Sequence, residues 1–168
     1  MNIHPIFVHF PIAFLTAYAL AEIVWYKKIT IQEWWWNLKA TLLTLGTLGG
    51  FLALQTGEMA EELRGHSNII EIHSTYAAIT MWIFSIILFA YIVRFIELYW
   101  SKSVRSGWQT TVFATAQRIS FFIKKIIPVL AGIGLITLTI TGAIGGVLVY
   151  GPNVDPVVHF IYSIVVGV

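Results

Sequence analysis

HPIFVHFPIAFLTAYALAEIVWYKK, residues 4–28, runs almost without polar interruption until it meets Lys27 and Lys28. Roughly 20 helical residues cross a hydrocarbon core, so residues 5–26 predict a membrane-spanning helix. A secretory signal places basic residues ahead of its apolar run and a small-residue cleavage site behind it. Ala19-Leu20-Ala21 imitates the second feature, but nothing basic precedes Pro5 and the lysines follow the run, as in a retained anchor.

The rest of the chain repeats this pattern. Of 168 residues, 58% are hydrophobic and 11% charged, too few polar groups to clothe a water-soluble domain. Further apolar stretches lie near 38–56, 69–93 and 126–150. Short connections between them predict an all-α, transmembrane four-helix up-and-down bundle, one domain over 1–168. The connections are KKITIQEWWWN, TGEMAEELRGHSN, and the longer stretch from SKSVRSGWQ to RISFFIKK. Its mixed charged and aromatic residues predict an interfacial segment over 101–122. The last apolar segment, 156–168, is too short to span and is expected to be re-entrant, to lie along the periplasmic surface or to dock on a partner.

Basic residues orient the bundle. With the N-terminus on side A, Lys27, Lys28, Lys39, Arg94, Lys102, Arg105, Arg118, Lys124 and Lys125 fall on side B, leaving only Arg64 on side A. The positive-inside rule then makes side B cytoplasmic and side A periplasmic. This predicts a multi-pass protein of a bacterial inner (cytoplasmic) membrane with a periplasmic N-terminus. Trp25, Tyr26, Trp34, Trp35, Trp36, Tyr99, Trp100 and Trp108 are expected in the cytoplasmic aromatic belt.

The same topology puts all five histidines, His4, His9, His66, His73 and His159, on side A. Glu58, Glu61, Glu62, Glu71 and Asp155 lean the same way. Pro5 suits a first helical position, which makes His4 a cap residue and leaves His9 about one turn inside. Asn68 followed by Glu71 reads as an N-cap with an N3 carboxylate, placing His73 at a similar depth in the third span. Each of these two is followed by Ala at i+4 and Thr at i+7: His9, Ala13, Thr16 and His73, Ala77, Thr80. Such small residues leave room for a flat group against a helix. His4 and His9 are about 140° apart on a helix, so at most one of them can ligate a central group. His9 and His73 are therefore the expected ligand pair, and Pro11 is expected to bend or loosen the helix beside His9. His4 and His66 are held as second-site candidates.

With no cysteine in the chain, thiolate sites and c-type haem attachment are excluded. Two imidazoles from different helices are the axial set of a b-type haem. A copper or zinc ion would need further ligands from His4, His66, His159 or Glu71. The chain carries no hydrolase constellation and no phosphate loop, which points to an electron-transfer subunit rather than a stand-alone enzyme.

The segments HPIFVHFPIAF, TGEMAEEL, IEIHSTYA and TGAIGGVLVY resemble the bacterial membrane-protein family known as domain of unknown function 2231, over about residues 4–150. The resemblance implies a layout similar to small b-type cytochromes. Some members of that family carry a Rieske-type domain on the same chain, which implies respiratory electron transfer. By motif, it directs attention to His4, His9 and His73. Two departures stand beside it: four-helix dihaem cytochromes place one haem near each membrane face, whereas no histidine lies on the cytoplasmic half here, and Ser74 follows His73 where the family often has a carboxylate. The expectation is one haem b, a second requiring His4 with His66 or His159, exchanging electrons with a quinone or periplasmic redox protein. No soluble redox domain is attached, so the partner would be a separate subunit of a larger membrane complex. The competing expectations are a cofactor-free accessory subunit and a periplasmic-side copper or zinc protein.

Overall fold

The computed structural model describes residues 4–24, 26–65, 67–100 and 107–167, some of them, His4 included, by backbone alone. Six helices follow one another: α1 (His4–Ile23), α2 (Lys27–Thr30), α3 (Glu33–Arg64), α4 (Asn68–Trp100), α5 (Trp108–Tyr150) and α6 (Pro156–Val166). The chain is all-α, and α1, α3, α4 and α5 form the bundle. Both α1 and α4 pack on α3 and on α5, so α1 and α4 stand diagonally across it. Residues 33–62, 68–97 and 125–150 are long and apolar enough to cross a membrane, while α1 contributes a shorter apolar stretch over 7–23.

The helices run past the apolar stretches. EWWWN and TGEMAEEL, expected in connections, belong to α3, and residues 108–122 continue α5 instead of forming a separate interfacial segment. A helix satisfies its own backbone as it leaves hydrocarbon, so it continues until the sequence stops it. Glycines stop it here: α3 ends at Gly65 (φ 83°) and α5 at Gly151 (φ 87°), conformations that side chains with a Cβ resist. The N-terminus of α4 also differs from expectation. Ser67, not Asn68, caps it, its Oγ accepting from the Ile70 amide at 3.3 Å. At the other end of the chain, Asp155 caps α6 by accepting from the Val157 and Val158 amides at 2.8 and 3.0 Å. This 11-residue helix is about 16 Å long, short of a span, and packs on α5.

Leu15, Tyr18, Leu43, Phe84, Ile87, Ala131 and Leu138 form the interior. Glycines bring the helices together around it. A Cβ at Gly46 would lie 2.6 Å from Leu15 Cδ2 and one at Gly49 would lie 3.4 Å from Pro11 Cδ, while one at Gly50 would strike the Met81 sulfur. Pro11 is buried in an uninterrupted α1, and Gly49 accommodates the ring that cannot donate to the helix. Substitution Gly46→Val should therefore lower the unfolding stability in detergent by about 1–3 kcal/mol through overpacking. Gly132→Ala, where a Cβ meets nothing within 4 Å, should leave it nearly unchanged.

Candidate functional site

Along α4 the inward stripe is His73, Thr80, Phe84, Ile87 and Tyr91, spaced by seven, four, three and four residues as one helical face requires. His73 is half-buried at the side A end of that stripe, and its Nδ1 lies 3.1 Å from the Thr141 carbonyl oxygen of α5. A carbonyl only accepts, so Nδ1 carries the hydrogen in this contact. The ring rests on α5 where a Cβ at Gly145 would come within 3.1 Å of His73 Cε1. A side chain at 145 would crowd the ring, so glycine suits its seat between these helices. Below it the Thr80 and Thr141 hydroxyls are 3.4 Å apart, and Thr141 also donates to the Thr137 carbonyl at 2.8 Å. The Thr47 hydroxyl is buried at a deeper level with no hydrogen-bond partner among the described residues.

The other expected site residues lie elsewhere. His9 is exposed, nine residues from the fully buried Tyr18 and therefore on about the opposite face of α1. Ala13 is exposed as well, so the shared Ala and Thr spacing does not mark a common pocket: it points inward on α4 and outward on α1. His9 and His73 are both the sixth residue of their helices, yet the helices do not start level. Through Pro11 opposite Gly49 and Gly50 opposite Met81, His9 falls beside residues 79–80 of α4. That is six or seven residues deeper than His73, about 10 Å. The structure thus does not bring this pair together. His4 is the first residue of α1, and His66 lies outside the described residues. His159 is exposed on α6 and Glu71 on the first turn of α4. Among the described residues no group of three His, Cys, Asp or Glu side chains comes together as a metal site.

A second polar centre was missed by pattern reasoning. Glu22 of α1 accepts from Lys39 Nζ of α3 at 2.8 Å and from the Tyr91 hydroxyl of α4 at 2.8 Å, both through Oε2. The two ionic side chains are only 15% and 10% exposed. Tyr18 packs edge-on against Tyr91, and Trp36 stacks on Tyr91 at 5.8 Å. The available signal was a carboxylate inside an apolar span, which is expensive unless paired. Chemically this centre is a three-helix clamp: one carboxylate oxygen ties α1 to α3 and α4.

Removing one member leaves the other charge buried and unpaired. Lys39→Met should cost about 3–5 kcal/mol of unfolding stability, whereas the double substitution Lys39→Met with Glu22→Leu should recover most of that loss. Denaturant titration of the detergent-solubilised protein reads the difference.

Comparison with known proteins places this architecture in a family. The family model described as "Predicted membrane protein (DUF2231)" matches residues 1–155, nearly the whole chain. No curated protein and no solved structure matches. The chain belongs to the DUF2231 family of predicted membrane proteins.

Proposed function

We propose that this multi-pass membrane protein is a one-electron carrier that holds a b-type haem in the side A half of its bundle. His73 would hold the haem iron together with a histidine from the first turns of α1. The observation that carries the proposal is the pinned ring: Nδ1 donates to the Thr141 carbonyl, the outer hydrogen bond that orients an iron-ligating imidazole and raises its basicity. Gly145 gives the ring its place, and the α4 stripe below it changes from threonine to Phe84 and Ile87, which close the site from beneath. When bound, the haem supplies reversible one-electron chemistry. The chain's own work is to orient the ring and keep the side A compartment apart from side B.

A partner follows from the placement. With every histidine toward side A, electrons enter and leave on that side, from a quinone or a periplasmic redox protein, within a larger membrane complex. The nine basic residues assigned to side B support a cytoplasmic-membrane location with side A periplasmic. A copper or zinc centre is less well supported, since the described residues offer no third ligand beside His73.

The test is a reduced-minus-oxidised spectrum of protein purified from haem-replete cells. The wild type should show a b-type α band, His73→Ala should abolish it, and Gly145→Val, which displaces the ring, should lower the haem-to-protein ratio severalfold. A colourless wild-type protein that co-purifies in fixed stoichiometry with a larger complex would instead establish the cofactor-free accessory subunit.

A further inference from the structure

Two histidines of α1 could face His73, and the packing of the helices separates them. The inner face of α1 is traced by Pro11, Leu15, Tyr18 and Glu22, spaced four, three and four residues apart. Stepping back seven residues from Pro11, two helical turns, reaches position 4, which is a helical residue of α1. Position 4 thus shares the phase of the inner face, while position 9 is about half a turn away from Tyr18 and its side chain is exposed.

Depth gives an independent answer. Three contacts fix how α1 runs against α3: the Glu22–Lys39 ion pair, Leu15 against Gly46, and Pro11 against Gly49. They agree to within one residue, so position 4 falls opposite positions 56–57 of α3. Met81 against Gly50 fixes α3 on α4 and carries that level to positions 74–75, within about 3 Å of His73 along the bundle axis. The α1 and α4 positions lie on diagonal helices, on inward phases and at one depth, a juxtaposition that would let both residues hold one group. Position 9 meets neither requirement.

We propose that His4, not His9, is the α1 partner of His73, so that the site opens at the first residue of α1 and its cofactor lies close to the side A surface. This assignment rests on the haem reading above, and two kinds of measurement keep the two separable. The first reads the geometry with no cofactor present. Because the full chain has no cysteine, nitroxide labels can be placed at positions 4 and 73, or 9 and 73, by His4→Cys or His9→Cys with His73→Cys. The distance distribution for the 4/73 pair should be the shorter of the two in haem-depleted protein, and an equal or longer one overturns the juxtaposition. The second reads ligation. His4→Ala should lower haem content at least tenfold and His9→Ala should leave it near the wild-type level, with the reverse pattern overturning the assignment. If His4→Ala fails to fold, His4→Met serves: it should keep haem but shift the low-spin electron paramagnetic resonance signature and raise the reduction potential. An unchanged signature in His4→Met refutes ligation by His4. Wild-type protein without haem refutes both the function and the ligand role, while the label distances still decide whether positions 4 and 73 face each other.

Discussion

One carboxylate oxygen organises this bundle. Glu22 Oε2 receives a lysine from α3 and a tyrosine from α4, so three of the four bundle helices are held at one level on side B. Apolar side chains can slide past one another along a helix at little cost, because burial is non-directional. An ion pair in a nearly anhydrous interior cannot slide, since each residue of slippage moves the partners by about 1.5 Å and leaves both charges poorly solvated. Gly46, Gly49 and Gly50 continue the same alignment toward side A by letting Leu15, Pro11 and Met81 seat against the backbone of α3. Depth anywhere in the bundle is then fixed from Lys39 upward.

Polarity is layered along the axis. Glu22, Lys39 and Tyr91 occupy the side B level; Leu15, Leu43, Phe84, Ile87 and Leu138 fill the middle; and Thr80, Thr141 and His73 occupy the side A level. From His73 to Tyr91 is 18 residues of one helix, about 27 Å. Thr80, Thr141 and His73 contact backbone carbonyls of α4 and α5, which ties those two helices together at that level. The clamp holds α1 firmly at one end, and His73 lies at the other.

Much of the architecture was legible in the sequence, because hydropathy and helix length are properties of single segments. The all-α bundle and the short C-terminal helix could be read from residues close together in the chain. Helix ends were less legible: TGEMAEEL looks like a polar loop by composition, yet it contains good helix formers, and the break comes only at Gly65. Ser67 and Asn68 are both good caps, and nothing local decides between neighbours of equal capping strength. Glu22 was visible as a charge in an apolar run, but its partners are 17 and 69 residues away.

The pairing of His9 with His73 shows where single-segment reasoning stops. Counting from each helix start makes the two level, since both are sixth residues. That count assumes that parallel helices begin at one plane. Here α4 starts about six residues further toward side A than α1, an offset set by the lysine, glycines and methionine that lock α3 between them. The angle of about 140° between His4 and His9 correctly required one of them to face away from the centre. Which one turns outward depends on the phase of the apolar stripe, and that stripe is nearly invisible in a span whose every face is apolar. Tyr18, buried at 0% exposure among residues no more hydrophobic than their neighbours, reveals it only after folding.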